Sequence, residues 1–157
     1  MNWYVKIASR CDFYIDLDET LIKSIEDNGE TLVIKRPGVD DFLSDLKSLG
    51  KIFLCTASDQ AYADNILKKL NIDVFDNKFY GEDLDNKVVN DNPNFLLIDN
   101  LEYTEDDIQR KMKMLGEKDD KIIEIKHVKV IPFEPELGQD HSGLSKALKD
   151  IKEKLGL

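Results

Sequence analysis

Short apolar runs broken by polar turns fill the first hundred residues. Phe13-Tyr14-Ile15 ends at Asp16, Ile52-Phe53-Leu54-Cys55 ends at Thr56, and Phe95-Leu96-Leu97-Ile98 ends at Asp99. Runs of this length without alternation suit parallel strands buried on both faces. Between them the period changes. Val39, Phe42, Leu43, Leu46 and Leu49 follow the 3-4 spacing of one buried helix face, opened by Pro37-Gly38 and stopped by Gly50. Ser58 is placed to cap a second helix bearing Ala61, Tyr62, Ile66, Leu67 and Leu70. Thr104, followed by Glu105, Asp106 and Asp107, reads as a third helix start. Leu144, Ala147, Leu148, Ile151 and Leu155 predict a closing amphipathic helix. Leu21 to Ile25 and Thr31 to Ile34 flank Asp27-Asn28-Gly29-Glu30, and an Asn-Gly pair between such runs signals a hairpin. Weaker strand patterns cover Val74 to Tyr80 and Val128 to Ile131.

Strands alternating with helices predict an α/β fold with a mainly parallel sheet and right-handed crossovers. The 157 residues suit one domain spanning 1–157, long enough to bury roughly 70% of its unfolded surface. In such sheets ligands bind at the carboxyl ends of the strands.

Composition narrows the classes. At 41% hydrophobic and 34% charged, the chain reads as globular. Its net charge of −10 repels phosphate backbones and argues against a nucleic-acid partner. Arg110, Lys111 and Lys113 form a small basic cluster that reads as the wet face of a helix. Cys11 and Cys55 do not make a disulfide framework, and Cys55 reads as a small core residue. No stretch approaches the roughly 18 apolar residues of a membrane span. The apolar patches of Met1 to Arg10 are too short for a signal peptide, so a reducing, cytoplasmic or nuclear compartment is expected rather than secretion.

The three strand runs carry the chemistry. If they lie side by side, Asp16, Thr56 and Asp99 converge on one rim of the sheet. Asp16-Leu17-Asp18 offers a carboxylate able to attack phosphorus, with a second carboxylate two residues on to serve as acid and base. The chain is rich in aspartate, so Asp-x-Asp also arises by chance, as at Asp83-Leu84-Asp85. The Thr56 hydroxyl can hold a phosphate oxygen beside a helix N-terminus, although a strand-to-helix turn with a cap needs the same residues. Lys87 is the expected phosphate-neutralising lysine, with Lys78 as its competitor. Asp99-Asn100 offers hard oxygen donors suited to Mg2+, or a plain Asp-Asn turn. His127 and His141 lack metal-ligand spacing and read as structural or surface residues.

Taken in order, Asp16-Leu17-Asp18-Glu19-Thr20-Leu21, Lys35-Arg36-Pro37-Gly38-Val39-Asp40-Asp41-Phe42-Leu43, Thr56-Ala57-Ser58 with Tyr62-Ala63-Asp64, and Leu97-Ile98-Asp99-Asn100 resemble the small C-terminal-domain phosphatases. These belong to the haloacid dehalogenase (HAD) superfamily, in the branch shared with the TFIIF-associated phosphatase. The resemblance is close over residues 13 to about 100 and looser through Val128-Lys129-Val130-Ile131-Pro132 to the last helix. It implies a Rossmann-like, HAD-like three-layer sandwich with a short hairpin flap and no cap domain. It implies Asp16 as nucleophile, Asp18 as acid/base, and Thr56, Ala57 and Lys87 as phosphate binders. Asp16, the Asp18 backbone and Asn100 would hold Mg2+, with Asp99 beside them. The implied substrate is phosphoserine or phosphothreonine in a protein, notably the tail of RNA polymerase II. The stretch from Asn86 to Asp99 is shorter than the resemblance leads one to expect, which bears on Lys87.

Three rivals frame the reading. A two-component receiver domain wants adjacent acids, an acceptor Asp, Thr, then Lys, whereas the order here is Asp-x-Asp, Thr, Lys, Asp. A catalytically dead binding module would lack one of the candidate groups, and all are present. A phosphatase of the same superfamily acting on a small metabolite or a nucleic-acid end keeps the same site and differs only in substrate.

Overall fold

The computed structural model describes residues 10–81, 83, 92–117, 126–138 and 142–157. The strands are β1 (Asp12–Ile15), β2 (Ile22–Asp27), β3 (Glu30–Lys35), β4 (Ile52–Thr56), β5 (Asn77–Tyr80), β6 (Phe95–Asp99) and β7 (His127–Lys129). The helices are α1 (Val39–Leu49), α2 (Gln60–Lys69), α3 (Glu105–Leu115) and α4 (Gly143–Lys154), with a 3-10 turn at Pro135–Leu137.

Five strands form one sheet in the order β5-β4-β1-β6-β7, and every neighbouring pair is parallel. Period-2 alternation sorts their side chains into two cores. Phe13, Ile15, Leu54 and Ile98 point to one face and meet Phe42 and Leu46 of α1, Ile66 of α2 and Ile151 of α4. Tyr14, Cys55 and Leu97 point to the other face and meet Met112, Met114 and Leu115 of α3. The result is three layers, as expected for this architecture. Each fully buried Leu or Ile contributes about 1.5–3 kcal/mol of burial free energy.

The handedness of crossovers explains why, among the described helices, only α3 lies on the second face. From β1 the chain steps through α1 to β4 and through α2 to β5, all in one direction, so both helices cover one face. From β6 the step to β7 runs the other way, and α3 covers the opposite face. Strand β1 is therefore flanked by connections of opposite sense, and the crevice at its carboxyl end is where such sheets bind ligands.

Strands β2 and β3 pair antiparallel as a separate two-stranded flap. Asn28 (φ 52) and Gly29 (φ 81) both take positive φ, the two-residue turn that matches strand twist. Between Asp16 and Thr56 the chain builds only this flap and α1, and the described residues hold no separately folded cap. Gly50 ends α1 where the chain crosses the entry to β1. A Cβ there would lie 1.6 Å from the Cys11 carbonyl oxygen, so no larger residue fits.

Candidate active site

The register brings the three strand ends together. Ile15 pairs with Leu54 on one side and Ile98 on the other, and the Asp16 amide donates to the Ile98 carbonyl at 3.0 Å. Asp16 thus lies level with Cys55 and Asp99, and Thr56 stands one residue above. The turn after β1 is wound tightly on itself, with the Leu21 amide donating to the Leu17 carbonyl at 2.9 Å. Buried Arg36 braces it by donating to the Thr20 carbonyl at 3.1 Å while stacking on Phe133.

Asp18 is held from two sides. Ser58 Oγ donates to its Oδ2 at 3.0 Å, and Tyr62 Oη donates to its Oδ1 at 3.2 Å. Tyr62 Oη also lies 2.8 Å from Ser24 Oγ on the flap, and Ser58 Oγ lies 2.8 Å from Thr56 Oγ1. One chain of hydrogen bonds therefore runs from the sheet rim through Asp18 to the flap. Ser58 does this in place of the capping role expected of it. The cap of α2 is Asp59, whose Oδ1 accepts from the Tyr62 amide at 2.8 Å, and Ser58 lies within the turn before it.

Asp99 is buried and heavily engaged. It accepts from Tyr103 Oη at 2.5 Å and the Leu101 amide at 3.1 Å, and lies 2.7 Å from His127 Nε2. Tyr103 and His127 stack at 4.3 Å between centroids. His127 is structural, as the sequence suggested, but its partner is a site residue. Only the pairing of β6 with β7, Leu97 to His127, makes that contact visible. His141 and Lys87 lie outside the described residues. Lys78, the competing lysine, pairs with Leu54, two residues before Thr56, and its ammonium forms an ion pair with Asp64 at 3.4 Å.

Asp16 keeps its carboxylate tip partly open at the rim, but its surroundings are almost all protein. Burial first, then the neighbouring Asp99 charge, raises its pKa from 3.8 to about 7. The Leu17 amide and the Lys111 ammonium act in the opposite direction. Cys55, fully enclosed beneath, has its thiol pushed up to about 12 and is chemically inert.

The donor set suits a hard divalent cation. Thr20 Oγ1 lies 3.3 Å from both Asp16 Oδ2 and Asn100 Oδ1 and bridges them, so two hard oxygens converge on one point of the rim. Burial first, and the Asp99 charge second, lift Asp16, and a bound cation would oppose both by favouring the ionised carboxylate. Among the described residues no three His, Cys, Asp or Glu side chains are grouped to hold an ion by themselves. A mixed set of carboxylate, amide and backbone carbonyl is what this rim offers.

A cavity of about 110 Å³ opens beside Asp16, on the α3 side of the sheet. Asp99, Tyr103, Arg110 and Lys111 are among its walls. This corrects the reading of Lys111 as part of a solvated helix face, whereas Arg110 is exposed as expected even though it borders the cavity. The third member, Lys113, is exposed as expected. Asp107, Lys111 and Met114 share one helical stripe at i, i+4 and i+7, and the orientation of α3 turns that stripe toward the rim.

Residues 14–125 match the model of the NLI interacting factor-like phosphatase family. The chain belongs to this family. An uncharacterized protein of Schizosaccharomyces pombe is 38% identical over a region covering 45% of this chain and 28% of its own length. Among solved structures, Fcp1, described as an essential RNA polymerase II CTD phosphatase, superposes with a TM-score of 0.57 at 16% identity. That match covers 96% of this chain and 51% of Fcp1. A fission yeast Fcp1 variant bound to beryllium fluoride gives 0.56 at 17% identity, over 98% of this chain and 52% of its own. At these identities the likeness is one of fold. The present chain spans about half the length of the Fcp1 chains and under a third of the yeast relative.

Proposed function

We propose that this chain hydrolyses phosphate monoesters through an aspartyl-phosphate on Asp16. The observation that carries the reading is the placement of Asp16, Asp18 and Thr56 on one rim, with Asp18 fixed by hydrogen bonds to both of its oxygens.

In the first half-reaction an Asp16 carboxylate oxygen attacks phosphorus and the bond to the ester oxygen breaks. Asp18 gives its proton to that departing oxygen. In the second half, Asp18 takes a proton from water, the water oxygen attacks phosphorus, and the acyl-phosphate bond breaks to release phosphate and restore Asp16. Ser58 and Tyr62 hold Asp18 in the position both steps need. Thr56 and the Ala57 backbone contact the phosphate oxygens at the start of α2, where helix amides favour an anion. Asp16, the Asp18 carbonyl and Asn100 are the residues suited to hold Mg2+, which when bound supplies positive charge to the phosphate oxygens. Asp99 is assigned a supporting place, since both its oxygens already have partners among Leu101, Tyr103 and His127.

The substrate class follows from access. Among the described residues a flap stands where a cap would, which leaves the rim open to a phosphate carried on a large surface, and we assign phosphoserine or phosphothreonine in a protein as the substrate. The family relationship and the fold shared with Fcp1 support this. The test is turnover of p-nitrophenyl phosphate by the wild type and Asp16→Asn, each with Mg2+ and with excess chelator. Activity is expected only in the wild type with Mg2+. Full turnover by Asp16→Asn overturns the mechanism.

A further inference from the structure

We propose that Lys111 of α3 binds the transferred phosphate from the side opposite Thr56, closing the anion site against Asp16. The inference rests on the phosphatase reading above and adds a residue to it.

The geometry is specific. Lys111 and Asp16 line the same cavity, together with Ala57 and Asp99. At about 110 Å³ that cavity has room for one tetrahedral oxyanion or several waters. Lys111 is half-buried, yet its ammonium lies within hydrogen-bonding or ion-pair distance of no described side chain. A lysine four residues after Asp107 on an exposed helix would ordinarily pair with that acid. Here Asp107 is turned back onto Thr104, accepting from both its amide and its hydroxyl in a capping box. The cap holds the Asp107 carboxylate on Thr104, so Lys111 closes no ion pair with it, although the Lys111 charge still acts on Asp107.

Charge supports the same assignment. The ammonium is near enough for its field to act on Asp16 and Cys55. Lys111 and Asp16 line one cavity and form no ion pair with each other, which leaves room between unlike charges. A phosphate there would have one oxygen toward the ammonium and its phosphorus toward Asp16. The ammonium then meets the charge that builds on the phosphoryl oxygens as the ester bond breaks, which is where such a group accelerates reaction.

The experiment compares Lys111→Met, Lys111→Arg, Lys113→Met and Lys87→Met in the full chain. For each, kcat/KM is measured on a phosphoserine peptide, and affinity for inorganic phosphate is measured by calorimetry with Mg2+ present. Thermal melting reports folding. Lys111→Met should lower kcat/KM about 100-fold, the scale for one lost transition-state donor. It should also weaken phosphate binding at least tenfold with an unchanged melting temperature. Lys111→Arg should recover part of both losses, and Lys113→Met should match the wild type. Unchanged phosphate affinity in Lys111→Met overturns the proposal, as does a loss that Arg does not recover. Loss of phosphate affinity in Lys87→Met with none in Lys111→Met gives the role to Lys87 and likewise overturns it. Phosphate binding is also measured in Asp16→Asn. An active Asp16→Asn would sink the nucleophile assignment while leaving the Lys111 binding result to stand or fall separately.

Discussion

Removing the Asp16 charge should stabilise the protein, and by an amount that depends on pH. Native Asp16 keeps its proton up to about pH 7, whereas the unfolded chain releases it near 3.8. Between those values the native state binds one more proton than the unfolded state. The unfolding free energy of the wild type therefore falls with rising pH at up to about 1.36 kcal/mol per unit. Across the window this sums to about 4 kcal/mol, or about 2–4 kcal/mol once solvent access at the rim is discounted. Asn carries no charge and lacks this slope. In excess chelator, the melting temperature of Asp16→Asn should rise relative to wild type by on the order of 10 °C between pH 4 and pH 8. Calorimetry of both proteins at constant ionic strength measures it, and the difference cancels the other carboxylates. Adding Mg2+ at pH 8 should narrow the gap by stabilising the wild type, because a bound cation favours ionised Asp16. A gap that stays flat across pH would refute the claim that burial and Asp99 set the proton affinity of Asp16.

Three further outcomes follow from the same structure. Asp18→Asn should slow phosphoserine-peptide turnover by about 100-fold and p-nitrophenyl phosphate turnover by less, since nitrophenolate needs little protonation; equal losses would contradict the acid role. In a panel of phosphopeptides, sugar phosphates and nucleotides, the open rim predicts higher kcat/KM on the phosphopeptides, and a strong preference for a small metabolite would count against it. Gly50→Ala should destabilise the fold by about 1–3 kcal/mol or more in chemical denaturation, because its Cβ would meet backbone at Cys11 rather than a movable side chain.

Local periodicity carried the elements. Three apolar strand runs, the Asn28-Gly29 turn and the 3-4 spacings of Val39 to Leu49 and Leu144 to Leu155 are written in residues close along the chain, and each became the element expected. The helix start at Thr104 was legible for the same reason, and the structure shows that it is a capping box with Asp107. The ends of the strands could also be read, so the meeting of Asp16, Thr56 and Asp99 needed only the assumption that their strands are neighbours. That assumption was confirmed by the order β4-β1-β6.

What the tertiary structure decided were contacts between distant residues whose local pattern is ambiguous. Ser58 looks like a cap from its neighbours, and only the approach of the β1 turn gives it Asp18 as a partner, 40 positions away. His127 looks like a lone histidine until β7 is laid beside β6 and its ring reaches Asp99. Lys111 belongs to a stripe that reads as solvated in any isolated helix. Which way that stripe faces depends on the crossover that sends α3 to the far face of the sheet, and on where its apolar residues Met112, Met114 and Leu115 find burial. A one-dimensional period records which residues share a face. It does not record what that face meets, because the partner is chosen by packing across the sheet.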